Sequence, residues 1–285
     1  MARARTIQIY LPSGDPRGLR VAELTTSIVR VVEVPRSLLS DFQLMPESKQ
    51  VGLYFLFGGD QSGADAVVYI GQSGNLGDRL AQHNSTKDFW NKALVVVSLT
   101  NNFTQTHALY LEWSSIKAAT EAGRYALENG NAGNKPHTPP PLQADCDDVH
   151  DTARTLLATL GFPIFEPIAA KPDGAKPVEL FYCTSGGVNG TGEYTSEGFV
   201  VLKGSKGRIK NVASIEGTAD QRFRDRLITD GVLVEQGGML VFTKDHLFGS
   251  PSMAAVSLLG RTANGWLEWK SPDGKTLNEL KRNNA

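Results

Sequence analysis

The chain opens with an alternation of polar and apolar positions. Thr6-Ile7-Gln8-Ile9-Tyr10-Leu11 reads as a strand, closed by the turn residues Pro12-Ser13-Gly14-Asp15-Pro16. Ile28 to Val34 is a β-branched run stopped by Pro35, and Arg36 to Leu44 predicts a short helix. An apolar strand follows over Val51 to Phe57, a glycine-rich loop over Gly58 to Gly63, and a returning strand over Ala66 to Ile70, which makes a hairpin. Leu76 to His83 has helical spacing, and valine-rich Ala93 to Leu99 reads as a buried strand. Thr106 to Ala122 is the best helix in the chain, with Leu109, Trp113, Ile116 and Thr120 three to four apart and Gly123 as its stop. Strand, strand, helix, strand, helix describes a small α/β layer around a short central sheet.

Residues 130–145 interrupt this pattern. Pro136, Pro139, Pro140 and Pro141 with Gly133 read as a linker or surface loop, and Asp145 to Leu160 predicts a helix with an acidic first turn, capped by Gly161. Lys171 to Lys176 and glycine-rich Ser185 to Gly192 read as further loops. From Glu197 a second unit begins: a strand over Gly198 to Leu202, a charged helix over Ala219 to Thr229, and a hairpin turned at Gln236-Gly237-Gly238 between Val232–Val234 and Met239–Phe242. A helix over Ser252 to Leu259 and a short strand over Trp266 to Lys270 complete it. The expected class is mixed α/β (α+β), in four parts: a β-rich N-terminal element (1–50), a compact layer (51–135), a linker and helical segment (136–196), and a C-terminal α+β domain (197–285).

Composition narrows the function classes. With 285 residues the chain can bury a sizeable core, and 40% hydrophobic and 21% charged residues are ordinary for a globular protein. A formal net charge of -1 means that any nucleic-acid surface is a local patch. Charge is also unevenly placed: Pro140 to Glu197 carries three Lys/Arg against nine Asp/Glu, and Gly198 to Ala285 thirteen against nine. Cys146 and Cys183 form no CxxC pair, so neither a structural zinc site nor a disulfide framework is implied. No run of eighteen apolar residues occurs, so no membrane span is expected, and a reducing, cytoplasmic setting is the default expectation.

The chemistry-bearing residues concentrate between 52 and 129. Hydrolysing a phosphodiester needs a base for water, charge neutralisation at the phosphate, a divalent cation and a stabilised leaving oxygen. Tyr54 and Tyr69 lie on the two hairpin strands. Arg79 and His83 are four apart, on one face of a helix. Glu112 sits mid-helix, and Asn129 follows at that helix's far end. Each taken singly has a plainer reading: a packing tyrosine, a solvated face, a surface glutamate.

Together these residues resemble the GIY-YIG nuclease superfamily, on Gly52-Leu53-Tyr54, Tyr69-Ile70-Gly71, then Arg79, His83, Glu112 and Asn129 in the family's order. Leu53 stands where the signature has isoleucine, an apolar exchange expected to be harmless. The stretch between the tyrosines, Phe55 to Val68, is longer than the family's shortest form, which offers the hairpin tip for substrate contact. The resemblance implies a DNA endonuclease using one Mg²⁺ or Mn²⁺ ion held by Glu112 and waters, with RNA open as a further substrate. Arg79 would hold the scissile phosphate, and Tyr54, Tyr69 and His83 would position or deprotonate the attacking water, the base being unassigned. Asn129 would brace the site, although Asn131 and Asn134 stand nearby and spacing alone does not choose among them.

Gly198 to Ser205 and Phe248 to Trp269 resemble an uncharacterised domain often fused to bacterial GIY-YIG nucleases, which implies a bacterial defence or repair setting and a substrate or protein partner for this unit. Lys203, Lys206, Arg208 and Lys210 form a basic stripe suited to backbone phosphates, with a solvated strand edge as the competing reading. Arg222, Arg224 and Arg226 alternate with Asp220 and Asp225 and read as salt-bridged helix surface. Ser185 to Gly192 lacks the lysine of a phosphate-binding loop. The alternative to an enzyme is a non-catalytic nucleic-acid-binding or scaffold protein that retains the nuclease fold.

Overall fold

The computed structural model describes residues 4–59, 66–169 and 178–283. The hairpin tip within 60–65, expected to serve substrate contact, and the loop over 171–176 lie outside the described residues. The chain forms two compact units, Met1–Pro167 and Ile168–Ala285.

In the first unit, β1 (Ile7–Tyr10), β2 (Arg20–Leu24) and β3 (Val29–Pro35) lead through a 3₁₀ turn into α1 (Leu39–Gln43). Then come β4 (Gly52–Gly58), β5 (Val67–Ser73), α2 (Leu76–Thr86), β6 (Trp90–Ser98), α3 (Gln105–Ala122), β7 (Ala126–Leu127) and α4 (Pro140–Thr159). One sheet of order β1-β2-β3-β6-β4-β5-β7 holds all seven strands, antiparallel except for the β5–β7 pair. The N-terminal strands are therefore not a separate element: β3 pairs with β6 along seven residues, from Val29↔Ser98 to Pro35↔Lys92. The helix read from Asp145 begins five residues earlier, because Pro140 and Pro141 occupy the first turn, where proline's missing N–H costs nothing.

Both faces of the sheet are covered, which is why β4 is buried at every position and reads as a continuous apolar run. Leu53, Phe55 and Phe57 pack with Ile70, Leu94 and Val96 against Leu111 and Ile116 of α3 and Leu156 and Leu157 of α4. Tyr54 and Leu56 point the other way, with Val32, Val95 and Val97, against Phe42 of α1 and Leu76 and Leu80 of α2. Strand periodicity thus delivers Tyr54 to the α2 face. Two carboxylates are buried in this unit and paired: Glu33 with Arg20 and Lys92, and Glu47 with Arg30.

The second unit contains β8 (Leu180–Cys183), β9 (Gly190–Thr195), β10 (Gly198–Val201), β11 (Lys206–Gly207), α5 (Ala219–Thr229), β12 (Leu233–Gln236), β13 (Met239–Phe242), β14 (His246–Phe248), α6 (Pro251–Leu259), α7 (Gly265–Glu268) and α8 (Leu277–Lys281). Two sheets, β14-β10-β9-β8 and β11-β13-β12, enclose Phe199, Phe242, Phe248 and Trp269. Of the strand expected over Trp266–Lys270, Trp266 to Glu268 lie instead in the short helix α7, and Lys270 makes antiparallel bridges to Tyr182 and Thr276. Asn264 caps α7 by accepting from the Trp266 N–H, and the buried Trp269 indole donates to the Pro251 carbonyl at 3.0 Å. Arg224 is likewise not surface: it is 1% exposed, and its guanidinium donates to the carbonyls of Ser257, Ile209 and Arg208 and to Asn211. Burial holds its pKa below the usual guanidinium value. Among the described residues, no helix is long and apolar enough to cross a membrane.

Gly52 marks how tightly this architecture is built. A Cβ there would lie 2.3 Å from the Val96 carbonyl oxygen, a backbone atom that cannot step aside. Gly52→Ala is expected to cost about 2–3 kcal/mol of stability in urea denaturation, whereas Gly130→Ala, with open space at its Cβ, should be near neutral.

Candidate functional site

Tyr54 lies on β4 directly opposite Gly71 of β5. A Cβ at residue 71 would sit 2.3 Å from the Tyr54 hydroxyl oxygen, so the glycine is what allows the phenol to lie across the neighbouring strand. Tyr69, two residues earlier on the same face of β5, places its ring 6.2 Å from that of Tyr54 in a stacked arrangement. α2 is started by Asn75, whose side chain accepts from the Asp78 N–H. One turn apart on that helix, Arg79 and His83 both reach the same phenol. Arg79 Nε donates to the Tyr54 hydroxyl at 3.2 Å, and His83 Nε2 shares a 2.8 Å hydrogen bond with it.

Glu112 reaches this group by another route. Its helix α3 packs on the opposite face of the sheet, but the carboxylate comes to the edge of β5, where the Gln72 backbone N–H donates to it. From there its charge acts on both Arg79 and Tyr54. Asn129 lies beyond β7, not at the end of α3, which stops at Gly123. Its side-chain amide pairs both ways with the Ile70 backbone: Oδ1 accepts from the N–H at 2.8 Å, and Nδ2 donates to the C=O at 2.7 Å. Glu128 N–H donates to the Val68 carbonyl just before it. The outer edge of β5 is thus capped at Val68, Ile70 and Gln72 by Glu128, Asn129 and Glu112 in turn. Asn129 braces the strand that carries Tyr69 and does not itself join the polar cluster.

Burial sets the electrostatics. Tyr54 is fully buried, and desolvation raises its pKa, opposed by the Arg79 hydrogen bond; no phenolate rests there at neutral pH. Arg79 is raised, first through its bond to Tyr54. His83 is lowered to about 4, by burial first and then by the charges of Arg79 and Lys87, so it is neutral at pH 7. Its Nδ1 is buried and has no hydrogen-bond partner among the described residues. Glu112 is raised by burial, against the lowering effects of the Gln72 N–H and Arg79.

Sequence reasoning passed over Lys87. It continues the Arg79–His83 row by four residues, and that spacing is the signal that could have found it. Its ammonium stands 4.5 Å from the Tyr69 ring centroid and forms no ion pair among the described residues. Gln72 was also missed, since its contribution is a backbone N–H. The basic stripe is only partly available. Arg208 is spent on the Gly186 carbonyl, to which Nε and a terminal nitrogen donate at 3.1 and 3.0 Å, while Lys203, Lys206 and Lys210 remain exposed. His107 completes the capping box of α3 with Thr104, the plain reading of a lone histidine.

Among the described residues no group of three or more His, Cys, Asp or Glu side chains is placed to hold a metal ion. A cation here would have Glu112 as its carboxylate, with waters and substrate oxygens completing its shell. That donor set suits Mg²⁺ or Mn²⁺, which retain water readily. A half-buried carboxylate whose pKa is already raised also gains from a neighbouring cation.

These observations define a protein of mixed α and β structure with a tyrosine–arginine–histidine cluster on the α2 face of its sheet, buried at Tyr54 and His83. Residues 181–281 match a family model described as a domain of unknown function (DUF4357), confined to the second unit. No curated protein and no solved structure matches the chain.

Two outcomes follow from the electrostatics. In an NMR titration His83 should protonate with a midpoint near 4, and Lys87→Ala should raise that midpoint, because it removes a repelling charge. Since the folded value lies below the unfolded value of 6.5, the stability contributed by neutral His83 is complete above that pH and is lost as pH falls towards 4. His83→Gln should therefore flatten the decline in stability over that window, and an unchanged slope would count against a buried neutral imidazole.

Proposed function

We propose that the first unit is a divalent-metal-dependent endonuclease of the GIY-YIG type, hydrolysing DNA phosphodiester bonds in one step. The observation that supports this best is the meeting of five side chains from four elements around one phenol: Tyr54, Tyr69, Arg79 and His83, with the Glu112 carboxylate acting across the edge of β5. A carboxylate and a guanidinium whose charges act on one another supply what a phosphate and its counter-ion need. Arg79 presents the N–H groups left by its bonds to Tyr54 and Gln82 to the scissile phosphate and takes up developing charge. Lys87 adds a second cation beside Tyr69.

A bound Mg²⁺ or Mn²⁺ would neutralise phosphate charge and acidify its water. Glu112 would hold it, oriented by the Gln72 N–H. Tyr54 cannot act as a resting phenolate, because burial raises its pKa. It takes a proton from the attacking water only as it passes its own to neutral His83 Nε2, 2.8 Å away. Tyr69 lines the approach and positions the water. The second unit recruits DNA or a protein partner, with Lys203, Lys206 and Lys210 as its exposed cations.

Purified protein should nick or cut plasmid DNA with Mg²⁺ or Mn²⁺ and stop on chelation. Glu112→Gln should lower cutting at least about 100-fold while circular dichroism and Tm stay unchanged. Glu112→Gln protein that cuts as well as the parent removes the metal assignment. Tight, salt-sensitive binding with no cutting under any metal would point to the non-catalytic alternative.

A further inference from the structure

A second aromatic and cationic feature lies on α3, next to Glu112 in sequence. A cleft of about 620 Å³ runs between Trp113, Ile116 and Thr120 of α3 and the segment from Leu127 through Asn129 to Ala132. Its size falls within the usual range for small-molecule and nucleotide pockets. Asn129 is common to this cleft and to the brace on β5, so the cleft begins where the support of Tyr69 ends. Two lysines attend the indole. Lys117 Nζ lies 5.6 Å and Lys135 Nζ 5.5 Å from the Trp113 ring centroid, and Lys135 is held in place by a 2.8 Å bond to Gln143.

We infer that this cleft binds an unpaired nucleobase of the DNA strand being cut, stacked on Trp113, with its phosphates drawn to Lys117 and Lys135. The inference rests on the endonuclease reading. A nucleotide joins a flat π face to a negative charge in one unit, and the cleft offers the complement of each: an indole, apolar walls at Ile116, Leu127 and Ala132, the exposed Lys117 ammonium, which shares its charge with the lining Glu121 carboxylate at 3.9 Å, and Lys135 beside the indole. Paired bases bury their faces in the helical stack. The occupant is therefore a base from a single-stranded tail or flap, and the first unit acts at junctions of single- and double-stranded DNA.

The test uses full-length Glu112→Gln protein with a chelator present, so that the DNA stays intact, and fluorescence anisotropy with a blunt duplex and the same duplex carrying a short single-stranded tail. The tailed DNA should bind more tightly. Trp113→Ala should weaken tailed binding about tenfold, Trp113→Phe should keep most of it, and the double reversal Lys117→Glu with Lys135→Glu should weaken it at least as much. Blunt-duplex affinity should hardly move in the tryptophan variants. Because the lysines are on the surface, the double reversal remains informative if Trp113→Ala fails to fold. Unchanged tailed binding in the double reversal, or equal losses on tailed and blunt DNA in the tryptophan variants, overturns the inference. If wild-type protein cuts DNA yet these variants bind like their parent, the cleft assignment falls and the nuclease stands. If tailed DNA binds through Trp113 but nothing is cut, the reverse holds. A parent that binds neither DNA overturns both.

Discussion

A phenol hydroxyl shut away from water must find partners, and Tyr54 finds them on α2. The same two bonds that satisfy it, from Arg79 and His83, fix the rotation of that helix against the sheet. Without them the guanidinium would be an ordinary solvated cation and the imidazole an ordinary surface base. The requirement runs down to the backbone. Only a residue without a side chain at position 71 leaves room for the ring, and Gly52, two rows away at the same end of the hairpin, lets β4 lie close to β6. A packing constraint and a chemical arrangement are here one structure.

The edge of β5 is the second element of the design. An exposed strand edge invites pairing with foreign backbone, and this one is closed by three different devices: a main-chain bond from Glu128, the side-chain amide of Asn129 and the carboxylate of Glu112. The third also carries charge to the arginine. This explains how a helix on the far side of the sheet contributes to a cluster on the near side. It also separates Asn129, which supports, from Glu112, which stands among the polar groups.

Much of this was legible in the residues. Two apolar runs placed Tyr54 and Tyr69 on the paired strands of one hairpin, four-residue spacing placed Arg79 with His83, and periodicity marked α3 to within a residue. What pattern alone did not reveal were non-local facts. Glu112 has no periodic reason to face a site, and its importance came only from likeness to a family. The strands β2 and β9 were passed over because one carries Ala22 and Glu23 and the other Gly190 and Gly192, all of which depress strand signals. Arg224 was misread because its cage is made of carbonyls from residues 15 to 33 positions away, which no charge pattern encodes. Trp266–Lys270 was misread because its Asn264 cap overrides the β propensity of its tryptophans.

The central claim is that a divalent cation and a phosphate meet where Glu112 faces Arg79. Paramagnetic broadening by Mn²⁺, followed by NMR across the backbone amides, reports the ion's position directly and needs no substrate. The account predicts that the Gln72 amide and the Glu112 and Arg79 signals broaden first, at the lowest Mn²⁺ concentration. Broadening that starts instead on the acidic face of α4, at Asp145, Asp148 and Asp151, would contradict it.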